Sequence, residues 1–244
     1  MEIFHQDLYN TSYIDNKFNN TLSSIPEIKG LFPEKFKGSK LLTLSFEDLS
    51  DVYYKYIEEV NRLAEERRNK INELLKKVFN YDSHRSKIRD FLSDPNNGFE
   101  IHNCIYCDIE KVEGYTRPNG RNNSIFHADH VLDKGNCPLV ALSIHNFVPA
   151  CPTCNEAPLK GTNALGNNKA DTLKLSPKSH SNKFESEVEF KIQITDPSIP
   201  DVKLFKSNTG WEIDFDYADD VYKQTVSMFD LQHYCPLKID GVKN

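Results

Sequence analysis

From Ser45 onward, apolar residues return at a helical interval: Ile57, Val60, Ala64, Ile71, Leu74 and Val78 stand three, four and seven positions apart, as on one face of an α-helix. Ser45-Phe46-Glu47-Asp48 places a capping serine three positions ahead of an acid, a helix-start signature. The pattern predicts one amphipathic helix of about thirty residues. Arg67 interrupts its stripe, so a pure coiled coil does not fit, and the face is read as packing on its own protein or on a partner helix. A second helix is predicted over 83–92, stopped by Asp94-Pro95-Asn96-Asn97-Gly98, strong turn material. Ahead of Ser45, residues 1–44 are polar and Asn-rich and predict irregular chain, with at most a short helix near 25–31. Further on the period changes to two. FESEVEFKIQI (184–194) and GWEIDFDY (210–217) alternate apolar with polar, the mark of half-exposed strands. A helix over 219–229 closes the chain. Neither an internal repeat nor a low-complexity tract is present.

These elements predict an α+β protein in three parts: a helical region at 1–97, a segment at 98–166 rich in Cys, His, Asn and Gly, and an acidic, strand-rich appendage at 167–244. With 38% hydrophobic residues the chain can bury a sizeable core. No apolar run approaches the roughly 18 residues of a membrane span. MEIFHQDLYN lacks the basic and apolar stretches of a secretory signal, so a cytoplasmic location without membrane contact is expected.

Charge refines this picture. The net charge of −6 lies wholly within residues 183–220, where ten acids face four lysines. The remainder is neutral and can present a basic surface, so overall acidity does not exclude a nucleic-acid partner.

Six cysteines stand at 104, 107, 137, 151, 154 and 235. In a reducing compartment two Cys-x-x-Cys pairs are metal ligands more often than disulfides. Cys104, Cys107, Cys151 and Cys154 supply the four thiolates of a closed tetrahedral zinc site, whose work is folding. Residues 108–150 between the pairs suffice for a two-stranded hairpin with a long loop. Cys137 and Cys235 read as small buried side chains.

Between those pairs lies Asp129-His130, with Asn146 sixteen residues after the histidine and Asn155 directly after Cys154. Phosphodiester hydrolysis needs a base to activate water and a cation to stabilise charge on the phosphate and leaving oxygen. A neutral His, with an ordinary pKa of about 6.5, suits the base. Asp and Asn offer the hard oxygens that Mg²⁺ prefers. Adjacent strand residues point to opposite faces, so cooperation of Asp129 with His130 is expected to need a bend. Asp133-Lys134-Gly135-Asn136 is turn material for it.

In order, CIYC, ADHV, HNFVPAC and CPTCN resemble the HNH endonuclease family in its four-cysteine, zinc-bearing form, over residues 100–161. The resemblance implies a ββα-metal core with a structural zinc. It implies that His130 is the general base, that Asp129 and Asn155 hold one catalytic Mg²⁺ or Mn²⁺, and that Asn146 pins the His-bearing loop. Many members continue CxxCN with two residues and then Lys-Gly. Here Glu-Ala-Pro-Leu comes before Lys160-Gly161, a longer link expected to draw Lys160 away from the phosphate. The expected substrate is DNA, with RNA open to the same chemistry. The organisation also resembles nuclease subunits that accompany ATPases in bacterial anti-phage defence, which would bring an ATPase or other protein partner; self-association through the long helix is a further option. Arg117, Arg121, Lys134, His102, His127 and His145 flank the motif and read mainly as loop or strand residues. Trp211 reads as core or partner-facing. The alternatives are a zinc-stabilised binding module without hydrolysis and a zinc scaffold whose long helix is the working part.

Overall fold

Residues 8–44 hold more helix than expected. In the computed structural model, which describes residues 8–94, 102–116, 118, 122–196, 198 and 211–232, they carry α1 (Thr11–Ser24), α2 (Pro26–Lys29) and a 3₁₀ turn at Gly38–Leu42. Asn10 caps α1 by accepting a hydrogen bond from the Tyr13 amide at 3.0 Å. Ile14, Phe18 and Leu22 form a buried stripe four residues apart. Asn16, Asn19 and Asn20 on the other faces hide that stripe from a composition-led reading. Gly38 is where the turn closes on α1, since a Cβ there would stand 2.7 Å from that of Phe18. The predicted turn residues 95–98, together with Arg117, Arg121, Gly210 and Cys235, lie outside the described residues.

The single long helix expected from Ser45 is two helices, α3 (Phe46–Asn61) and α4 (Glu65–Val78). Ser45 caps α3 as read, its hydroxyl accepting from the Asp48 amide at 3.1 Å. The break falls at Ala64, whose ψ of 146° takes the chain out of helix. Either side of it different faces are buried: Leu49, Tyr53, Tyr56 and Val60 on α3, then Ile71, Leu75 and Val78 on α4. Ala64 is exposed, and Ile57 and Leu74 are only half-buried. Arg67 therefore interrupts no continuous stripe. Its guanidinium makes a two-pronged bond to Glu27 of α2, at 2.6 and 2.8 Å. The next helix, α5, runs Tyr81–Leu92 and packs against the strand that bears His130.

Three two-stranded antiparallel sheets follow. β1 (Gly114–Thr116) pairs with β2 (Asn122–Ser124), and β3 (His127–His130) with β4 (Phe147–Ala150). Then come α6 (Pro152–Asn155), α7 (Lys169–Leu175) and α8 (Phe184–Glu187). The first of the two C-terminal strands starts later than predicted, because 184–187 is the turn of helix α8. β5 (Val188–Ile194) pairs with β6 (Trp211–Tyr217). The closing segment is a 3₁₀ turn at Asp220–Tyr222 leading into α9 (Lys223–Met228). The chain is thus mixed helix and sheet, α+β. One cluster of buried residues runs from Tyr9 to Leu231 and unites the N-terminal helices, the β3–β4 hairpin and α9. Among the described residues no helix is long and apolar enough to cross a membrane.

Candidate functional site

Two tight turns bring the cysteines together. Cys104 begins a knuckle in which its carbonyl accepts from the Asp108 amide at 2.8 Å, with Asp108 in the left-handed region at φ 54°. Cys151 ends β4 and caps α6, where Pro152 takes the first helical position and needs no amide partner. The Cys151 amide donates to Cys104 Sγ at 3.2 Å. All four sulfurs of Cys104, Cys107, Cys151 and Cys154 lie within 4.8 Å of one another, and all four residues are buried. Hydrogen bonds from the Cys107 and Cys154 thiols hold the Cys104 thiol far below its ordinary range, at about 4. Four convergent soft donors with one already acidic suit a tetrahedral metal such as zinc. Cys137 is buried apart from them.

The hairpin β3–β4 presents the Asp-His pair. Its register is unbroken, with Asp129 opposite Val148 and His130 opposite Phe147. The bend expected between Asp129 and His130 is therefore absent. Both residues nevertheless line one cleft of about 280 Å³. β3 pairs with β4 alone, and the cleft meets all four of its residues, from His127 to His130. The turn comes after the strand, where the Asp133 carboxylate accepts from the amides of Gly135 at 2.8 Å and Asn136 at 3.1 Å.

His130 is 6% exposed. Its ring meets Tyr81 edge-on at 4.6 Å and Phe147 at 4.7 Å. Nε2 lies 3.1 Å from the Ala141 carbonyl, an acceptor only, so this nitrogen carries the proton and Nδ1 keeps the lone pair. Burial, then the Lys134 ammonium, pushes the imidazole down to about 3, so the ring is neutral at physiological pH. Asn146 lies fully buried beneath this loop. Its side chain accepts from the Leu132 amide at 2.7 Å and donates to the carbonyls of Leu132 and Val140 at 3.0 and 3.1 Å. Those bonds tie both arms of the 131–141 loop, including the residue before Ala141.

Asp129 faces the other way and is engaged. Tyr106 donates to Oδ2 at 2.6 Å, and the Lys160 ammonium stands 2.9 Å from the same oxygen and 3.1 Å from Oδ1. Lys160 also donates to the His130 carbonyl at 3.1 Å and is 3% exposed. The longer link after Asn155 thus turns Lys160 inward onto Asp129. Asn155 donates through Nδ2 to His127 Nδ1 at 3.0 Å, and its Oδ1 takes no hydrogen bond among the described residues. His127 shares a strand face with Asp129, two residues along.

A divalent ion at this cleft could take oxygen donors from Asp129 and Asn155, the hard oxygens that suit Mg²⁺ or Mn²⁺, whereas the His127 Nδ1 lone pair is spent on the Asn155 amide. The fit carries one condition: the Asp129 carboxylate must be shared with the Lys160 ammonium. Reasoning from sequence missed Tyr106, the contact of Lys160 with Asp129 and the link from Asn155 to His127. The i,i+2 spacing of His127 and Asp129 was the available signal for the last. Lys134 lines the cleft, whereas His102 and His145 do not. Neither the known protein families, nor curated proteins, nor solved structures give a match to this chain.

Proposed function

We propose that the chain is a divalent-metal-dependent endonuclease of the HNH type, hydrolysing phosphodiester bonds in DNA. The observation that carries this reading is His130: a neutral, oriented imidazole whose Nδ1 has no hydrogen-bond partner among the described residues, in the same cleft as Asp129 and Asn155. In this scheme His130 Nδ1 takes the proton from water as it attacks phosphorus. Ala141 O holds the ring through Nε2, and Asn146 holds the loop that carries Ala141. Tyr106 and Lys160 fix the Asp129 carboxylate. A bound divalent ion would supply charge stabilisation at the phosphate and leaving oxygen, and a zinc on the four thiols would fix Asn155 relative to His130.

The test is nicking of supercoiled plasmid by zinc-loaded protein, with and without Mg²⁺ or Mn²⁺. His130→Ala is expected to lower the rate by about 10²–10⁴ with unchanged circular dichroism. Equal rates from both proteins would sink the assignment of His130. A second reading, a zinc-stabilised binding module without hydrolysis, is favoured by one observation: the Lys160 ammonium already sits on Asp129. No ion-dependent cleavage under any condition, alongside retained DNA binding, would establish that reading instead.

A further inference from the structure

The cleft has a second wall, supplied by α5. Arg85 and Arg89, one turn apart on that helix, line it together with Tyr81 and Asp82, and Lys134 lines it from the loop after β3. Residues four apart on a helix share a face and stand about 5–6 Å apart at Cβ. Elsewhere among the described residues the arginines are satisfied: Arg62 by Glu58 and Glu59, Arg67 by Glu27, Arg68 by Asn61. Arg85, Arg89 and Lys134 form no ion pair among the described residues. Arg89 Nε is buried without any hydrogen-bond partner. Leaving a buried donor unmet costs about 1–3 kcal/mol, more when charged, and Arg89 is among the residues that line the cleft.

Opposing charge does not cancel this excess. Asp82 lines the cleft as well, but the Asp129 charge is met by Lys160. Tyr81 joins the helix to the site: its ring makes an edge contact with His130, and Lys134 Nζ stands 5.0 Å from the ring centroid. A planar guanidinium grips phosphate by paired hydrogen bonds.

We infer that Arg85 and Arg89 of α5, with Lys134, clamp the phosphate backbone of a polynucleotide strand and deliver it to the cleft at His130. The inference rests on the nuclease reading for its substrate class, and it makes α5 a positioning element outside the hairpin.

The experiment measures binding apart from cleavage. A labelled oligonucleotide, single- or double-stranded, is titrated by anisotropy onto zinc-loaded full-length His130→Ala protein over a salt series. Replacing both arginines by Ala in that background is expected to weaken binding at least about tenfold at low salt. Loss of two phosphate contacts should also lower the slope of log affinity against log salt by about 1.4 to 1.8. The Arg85→Lys, Arg89→Lys pair, which keeps the charge, is expected to restore most of the slope. Unchanged affinity and slope in the alanine pair would overturn the inference, as would oligonucleotide that fails to bind at low salt. Displacement of the strand by an equal concentration of inorganic phosphate would assign a small-anion site and overturn it too. Plasmid cleavage by the protein with His130 intact separates the two readings. Cleavage indifferent to both arginines leaves the nuclease standing and removes the clamp. Arginine-dependent binding without cleavage leaves the clamp standing and removes the nuclease.

Discussion

The hairpins β3–β4 and β5–β6 are both two-stranded and antiparallel, and they differ in nearly everything else. β5–β6 has seven residues a strand and strict alternation, with Phe190, Ile192 and Ile194 all exposed on β5. β3–β4 has four residues a strand, every residue of β4 is buried, and the candidate chemistry clusters at its ends. A two-stranded ribbon is marginal by itself in water. The long ribbon meets the core through Val188, Phe215 and Tyr217 and carries the Lys191–Asp216 ion pair on its surface. The short one is held from outside, by the thiol cluster, α5 and the Asn146 network. The lesson is that reactive groups here sit where local signal is weakest and tertiary support strongest. A site must hold its groups to a fraction of an ångström, and packing on all sides does that better than a ribbon's own ladder.

Removing the external support of β3–β4 should have the largest effect. Cys154→Ser is expected to abolish stoichiometric metal binding and cost several kcal/mol, given that structural zinc supplies about 10–16 kcal/mol in small zinc-bound folds. Zinc content and amide exchange of β3–β4 check it; retained zinc together with retained protection would refute the support role.

Lys160→Met comes next. Lys160 and Asp129 are a buried pair, their side chains 4% and 8% exposed, and losing one partner of such a pair costs about 3–5 kcal/mol. Because the variant frees the carboxylate, Mg²⁺ or Mn²⁺ should raise its melting temperature more than that of the parent protein. Thermal unfolding with and without the ion decides; an equal or smaller rise would argue against an ion at Asp129.

A pH series reports on the buried imidazole of β3. His130 is held at about 3 when folded and titrates near 6.5 when unfolded. Its contribution is fully present above pH about 6.5 and is lost as pH falls toward 3, at up to about 1.4 kcal/mol per pH unit, because only the unfolded chain takes up the proton. Urea unfolding of His130→Gln beside the parent should show a shallower fall across that window, and parallel curves would show that burial does not hold the imidazole neutral. The smallest effect belongs to the ribbon: Phe190 is 66% exposed, so Phe190→Thr should change stability by no more than about 0.5 kcal/mol. A larger loss would mean that the ribbon's outward face is supported after all.

The legible part of this chain is what repeats locally or is carried by residue type. The period-two strands, the Ser45 cap, the helix before residue 93 and the two Cys-x-x-Cys pairs were legible because each depends on neighbours a few positions away. The four buried thiols then met as their chemistry required. Tertiary structure alone decided the rest. The break at Ala64 follows from where α3 and α4 find cover, which no periodic stripe contains. α1 was hidden because three apolar residues among asparagines form a face only once Gly38 and Phe79 close on Phe18. In the same way Tyr106, Lys160 and Asn146 reach their partners across 23, 31 and 14 residues. Hydrogen bonds over such separations exist only after the core has brought the chain together, so their energy leaves no local pattern to read.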